Sequence, residues 1–186
     1  MYNIQKVKSW IKRSAKNDLI YHPEAELISD NSTVIYAQPN MKPTILEVFG
    51  HLDGGRIKAG VYTNEILNAN ILQNYMKLRD ESERILLIDS KLRFIVDEEI
   101  ELRILYEYQT GKKVLVQEVY AAMVKDFDRC QLYACKDSDS DVVHVVEGEK
   151  VVGLIMRFFP VDTSTRDLLD SFEFKAVGKE NHTCDK

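Results

Sequence analysis

Cysteine, proline and glycine are scarce in this 186-residue chain, which has 3, 4 and 8 of them respectively. The odd and sparse set of Cys130, Cys135 and Cys184 implies no disulfide framework, so we expect a reducing, cytoplasmic location. No apolar run approaches the ~20 residues that span a bilayer, so we expect no membrane partner. The amino-terminal segment also has no apolar core of the kind found in secretory signals.

The remaining composition is that of a globular domain. Hydrophobic residues make up 45% of the chain and charged residues 30%, which is the ordinary range for a folded domain. The formal net charge of −5 argues against a uniformly basic surface of the kind that coats nucleic acid, although it leaves room for one local basic face.

The spacing of apolar residues predicts an α+β fold with antiparallel sheets and three helices. The helices are predicted over 3–16, 63–79 and 117–127. Strands are predicted over 25–29, 33–38, 44–49, 56–62, 85–88, 92–96, 100–108, 112–116, 129–135, 142–146 and 150–159. Within the last of these, residues 151–156 are apolar on both faces, which predicts a central strand.

The predicted elements repeat in a similar order. Residues 1–160 are predicted as one α+β domain with three repeats, over 1–55, 56–111 and 112–160. Residues 161–186 are predicted as a carboxy-terminal helix over 164–174, begun by a capping pattern of Ser164 and Asp167, and a flexible tail.

The third unit reads KVLVQEVYAAMVKDFDRCQLYACKDSDSDVVHVVEGEKVVGLIMRF, from Lys113 to Phe158. It resembles the repeating half-domain of DNA sliding clamps, and its ending GLIMRF resembles the closing strand of bacterial clamps. The resemblance implies βαβββ repeats in a self-associated ring whose helices face DNA. Clamps have an even number of such units in each chain, whereas three are predicted here.

The first helix has the most unusual charge pattern in the chain. Its apolar residues fall on one side, and its opposite side carries five cations with no acid among them: Lys6, Lys8, Lys12, Arg13 and Lys16. A helix face of this kind can neutralise phosphates and release counterions, so it is the predicted binding site for nucleic acid or another acidic partner. Trp10 lies on the apolar side and is predicted to be a core residue.

No metal site is predicted. The alternating carboxylates Asp137, Asp139 and Asp141 resemble a calcium loop, but Val142 and Gly148 stand where that loop needs glycine and glutamate. Cys130, Cys135 and His144 do not have the spacing of a zinc site. Cys130 and Cys135 are instead predicted to point to opposite faces of their strand.

No catalytic or cofactor-binding residues are predicted either. His51 and Asp53 lie in a turn-forming HLDGG run, and no nucleophile-elbow, P-loop or dinucleotide motif occurs.

The sequence therefore predicts a non-enzymatic binding protein, in the form of a DNA-associated or replication-accessory clamp-like module. Two alternatives stay open. One is a regulator of the phage or mobile-element type that binds a protein partner. The other is a small enzyme whose active site is assembled from distant residues.

Overall fold

The computed structural model describes residues 2–14, 19–22, 25–30, 32–49, 57–58, 73–74, 76–77, 80–96, 99–124, 130–136, 141–160 and 162–173. Within these residues the fold is α+β, as the sequence predicts, with four α-helices and one antiparallel sheet.

The sheet contains ten strands in the described part of the chain. They are β1 (Ile20–His22), β2 (Leu27–Ser29), β3 (Thr33–Tyr36), β4 (Ile57–Lys58), β5 (Arg84–Val96), β6 (Ile100–Glu107), β7 (Lys113–Gln117), β8 (Gln131–Cys135), β9 (Val142–Glu147) and β10 (Lys150–Met156). Their order across the sheet is β4-β1-β2-β3-β10-β9-β8-β5-β6-β7. The three predicted units therefore contribute to a single sheet.

The prediction of a central strand is confirmed by β10. It pairs with β9 on one side and with β3 on the other, through Leu154 opposite Val34 on the β3 side. Leu154 and Ile155 are both buried although they point to opposite faces of the sheet. Covering on both faces is the physical reason why residues 151–156 of this strand are apolar.

After β10 the chain contacts the end strand of the sheet, while the Arg157 N–H still donates to the Asp141 carbonyl, next to β9, at 2.7 Å. Arg157 forms an antiparallel bridge with Val116 of β7, and the Phe158 N–H donates to the Leu115 carbonyl at 2.8 Å. This contact gives the end strand β7 a partner on its outer side, where an unpaired strand would otherwise expose its backbone groups.

The helices are α1 (Ile4–Ser14), α2 (Lys42–Phe49), α3 (Glu118–Ala121) and α4 (Thr163–Asp170). Single 3₁₀ turns occupy Pro39–Met41 and Glu81–Glu83. Helices α1 and α2 pack on one face of the sheet, where Trp10 and Ile45 share a core with Ile28 and Ile35. Alternate strand residues such as Leu27 and Val34 belong to a second core on the other face.

The prediction of a strand over 44–49 is wrong, because these residues form α2. Pro39 and Pro43 lie in the first turns of the 3₁₀ and α-helical segments, where a fixed φ and a missing N–H are tolerated. Met41 and Ile45 are buried four positions apart, which matches a helix face packed on α1. A short apolar run is ambiguous between helix and strand.

Residues 85–88 and 92–96 were predicted as a strand pair, but they belong to one continuous strand, β5. The Asp89–Ser90 pair does not turn the chain. It forms a bulge in which Lys91 has a φ of 63° and Ser90 donates its hydroxyl hydrogen to the Ile104 carbonyl at 2.6 Å. Side-chain hydrogen bonds of this kind let a strand accommodate extra residues without reversing.

The two later helices also differ from the prediction. Helix α3 spans only Glu118–Ala121, and Val124 follows it in a bridge to Tyr2. Helix α4 is capped by Asp162, whose carboxylate accepts the Thr165 N–H at 2.6 Å, instead of by Ser164. Of the apolar residues Leu168, Leu169 and Phe172, only Leu169 is buried, and the other two are exposed.

Other predictions fall on residues that the structure does not describe. They include nearly all of the second helix predicted over 63–79, the His51 and Asp53 turn, Asp137 and Asp139, and the flexible tail predicted after the helix over 164–174.

Candidate functional site

The basic face of α1 is placed at the surface by the burial of its opposite side. Val7, Trp10 and Ile11 are buried in the core, which confirms the predicted role of Trp10. Lys6, Lys12 and Arg13 are exposed and Lys8 is half-buried. Lys16, the fifth predicted cation, lies outside the described residues.

A buried carboxylate holds α1 in a defined orientation on the β2–β3 hairpin. The Trp10 indole N–H donates to Asp30 Oδ2 at 2.6 Å, and the Ser14 hydroxyl donates to the same oxygen at 3.2 Å. The other oxygen, Oδ1, accepts the backbone N–H groups of Ser32 and Thr33, each at 2.8 Å. One aspartate therefore forms the hairpin turn and also anchors the middle and end of the helix.

Asp30 also lies close to Tyr120 of α3. The pKa of the Tyr120 hydroxyl is raised, chiefly by burial and further by the nearby negative charge of Asp30. The tyrosine therefore stays neutral and acts as a hydrogen-bonding core residue. This arrangement brings α1, the hairpin and α3 together around one acidic group.

Helix α2 changes the charge of the predicted binding face. The Lys12 ammonium lies 2.8 Å from the Glu47 carboxylate, and both side chains are largely exposed. An exposed pair of this kind contributes only about 0–1 kcal/mol to stability, but it partly neutralises Lys12. Glu47 could not be found from the sequence because residues 44–49 were predicted as a strand. Lys6, Lys8 and Arg13 form no ion pair with a carboxylate of the described residues.

A second charged cluster, which was not predicted, surrounds the bulge of β5. Glu118 of α3 receives two hydrogen bonds from the Arg103 guanidinium, each at 2.7 Å. Its carboxylate also lies 2.9 Å from Arg93 Nε, and Asp89 lies 3.5 Å from Arg103. Arg103 is buried, so these contacts satisfy a charge that would otherwise be costly. The cluster joins α3 to β5 and β6 and has the geometry of a structural network.

The cysteine and histidine residues do not form a metal site within the described part of the chain. Cys130 lies in a core cluster with Leu132, whereas Cys135 Sγ is 3.9 Å from His144 Nδ1. The two cysteines thus have separate environments, and Cys130 lies just before β8 instead of on the predicted strand. Over the described ranges, no three His, Cys, Asp or Glu side chains come together as metal ligands.

Comparisons with protein-family models, with curated proteins and with solved structures give no match. In the described segments, no helix has the length and apolar character needed to cross a membrane.

Proposed function

We propose that this chain is a non-enzymatic, DNA-associated binding protein that contacts phosphates through the exposed face of α1. The observation that carries the proposal is the combination of Lys6, Lys8 and Arg13 on one helix whose opposite side is fixed by the Trp10–Asp30 hydrogen bond. Cations held on a rigid helix can neutralise phosphates with little additional ordering.

A clamp-like architecture is the more specific part of the proposal. Helix α1 precedes the meander β1-β2-β3, and helix α3 precedes the meander β8-β9-β10. The two meanders join side by side through β3 and β10. This pairing of two helix–three-strand units supports a repeat of the kind that the sliding-clamp resemblance implies. The short α3 and the engagement of its Glu118 with Arg103 leave α1 as the helix that would face DNA.

The test is the affinity for a fluorescently labelled DNA duplex, measured by anisotropy over a series of salt concentrations. We expect weak binding that falls steeply with salt. Replacing Lys6, Lys8 and Arg13 together by Glu should abolish it. In the wild type these three phosphate contacts should contribute about 2.7 to the steepness with which log affinity falls against log salt. Lys12 is left unchanged because it pairs with Glu47.

The matched control is Lys136→Glu, which changes an exposed cation that follows β8 and does not belong to α1. It should bind DNA with a similar salt slope to the wild type, because it removes no contact on the helix. Circular dichroism should show that all variants remain folded, since surface substitutions usually change stability by less than ~0.5 kcal/mol each and, of the residues changed, only Lys8 is half-buried. Absence of wild-type binding at low salt, or equal losses in the control, would refute the role of α1.

A regulator that binds a protein partner is the second candidate. It is favoured by two apolar side chains on β5, where Leu92 is 42% exposed and Ile95 is 64% exposed. Burial of exposed aliphatic side chains favours association with a protein partner. This candidate takes the place of the first if the wild-type protein does not bind DNA at low salt.

A further inference from the structure

A groove at the end of the sheet, away from α1 in the strand order, has the features of a small-ligand site. It is an open cavity of about 300 Å³ between β7, the segment 157–160 and α4. Leu115 and Leu169 form an apolar part of its wall, and both are buried. The volume lies at the lower end of the ~300–1,000 Å³ typical of small-molecule pockets, so the groove suits one compact ligand.

One backbone and one side-chain hydrogen bond fix the wall of the groove. The Phe158 N–H bonds to the Leu115 carbonyl at 2.8 Å, which fixes the segment after β10 against β7. Arg166 Nε donates to the Pro160 carbonyl at 2.8 Å, which fixes α4 to the other end of that segment. The three parts of the wall are therefore joined by hydrogen bonds that do not depend on a ligand.

Positive charge dominates the lining. Four cations and one acid line the cavity: Lys112, Lys113, Arg157, Arg166 and Asp170. Among the described residues, this lining forms one ion pair, and it is long, with 3.9 Å between Lys113 Nζ and an Asp170 oxygen. Arg157 Nε is buried and has no hydrogen-bond partner among the described residues. A buried donor without a partner is costly, and a nearby anion would offset part of that cost.

An aromatic and apolar rim accompanies the charge. Phe159 is 57% exposed, which is unusual for a large ring, and it lies between Phe158 and Pro160 in the groove wall. Exposed aromatic rings next to cations are the combination that binds nucleic-acid bases by stacking and their phosphates by charge.

We propose that this groove binds a nucleoside phosphate, with the base against Phe159 and the phosphate among Lys112, Lys113 and Arg157. Two sources share this chemistry, namely a free mononucleotide and the 5′-phosphorylated end of a single DNA strand. The groove lies on different elements from the basic face of α1, so this proposal does not depend on duplex binding by α1.

The experiment measures binding of AMP, adenosine and inorganic phosphate by isothermal titration calorimetry. A short oligothymidylate with and without a 5′-phosphate is measured in the same way. We expect AMP or the phosphorylated oligonucleotide to bind at least about tenfold more tightly than adenosine or phosphate. Adenosine carries only the base, and inorganic phosphate carries only the phosphate. Tighter binding of AMP indicates a free nucleotide as the source, and tighter binding of the oligonucleotide indicates a strand end.

Two exposed substitutions assign the binding to the groove. Phe159→Ala should weaken it about 5- to 150-fold, through the loss of one base–aromatic stack. Lys112→Glu should weaken ligand binding more at low salt than at high salt, because salt screens the charge of the lysine. The matched controls are Phe172→Ala, an exposed aromatic residue outside the groove lining, and Lys136→Glu. Both controls should bind as the wild type does.

The proposal is overturned if neither phosphorylated ligand binds at millimolar concentration. It is also overturned if phosphate alone binds as tightly as AMP, or if Phe159→Ala and Lys112→Glu leave the affinity unchanged. Loss of duplex binding in the α1 variant with nucleotide binding intact would show that the two sites are separate.

Discussion

Gly153 illustrates how a single residue of β10 depends on a distant part of the chain. A Cβ atom at this position would lie 2.9 Å from the Tyr2 hydroxyl oxygen and 3.2 Å from the Val34 carbonyl oxygen. Tyr2 is buried against the sheet, and its hydroxyl has no hydrogen-bond partner among the described residues. Glycine is therefore required here for close packing.

Gly153→Ala should destabilise the protein by about 1–3 kcal/mol, the usual cost of overpacking a core. Tyr2→Phe should be close to neutral, because it removes a buried hydroxyl that lacks a partner. In the double variant the nearest clash is absent, so part of the stability lost by Gly153→Ala should return. Urea unfolding of the four proteins measures the coupling between the two positions, and strictly additive effects would contradict the contact.

At the scale of the element, β10 allows a comparison of neighbouring residues with opposite environments. Ile155 is buried in a core cluster with Val143 and Val145, whereas Met156 is 43% exposed. Both residues lie on the same strand and pair with β9. The contrast separates the effect of burial from any general effect of an acid in a strand.

Ile155→Asp should unfold the protein, because an unpaired carboxylate in an apolar core is very costly. Met156→Asp should lower the melting temperature far less, because its side chain can reach water. Thermal unfolding followed by circular dichroism makes the comparison. A similar melting temperature for the two variants would contradict the placement of Ile155 in the core.

The arrangement of the whole molecule bears on the clamp-like proposal, since a ring requires several copies of this chain or of its units. We expect sedimentation velocity to show a species heavier than a single chain, in increasing proportion as the protein concentration rises. The variant with Lys6, Lys8 and Arg13 replaced by Glu should associate as the wild type does, because α1 is proposed to face DNA. A monomer at every concentration would contradict the clamp-like ring. The proposed contact between α1 and DNA is tested separately, by the anisotropy measurement.

The sequence by itself determined the elements whose burial leaves a local pattern. The amphipathic spacing of α1 predicted both its buried side and its exposed cations, and the continuous apolar run of β10 predicted a central strand. These predictions succeeded because each depends on which side of one element meets the core. The short run over 42–49 had no such decisive pattern, and its packing against α1 made it a helix.

Only the tertiary structure decided which distant residues meet. It placed Glu47 beside Lys12, and Asp30 beside Trp10. It also brought β7, the segment 157–160 and α4 together around one groove. Each of these contacts joins separate elements, as does the bridge between Val116 of β7 and Arg157. Local periodicity carries no information about such pairing, because it reports the environment of a residue and not the identity of its neighbour.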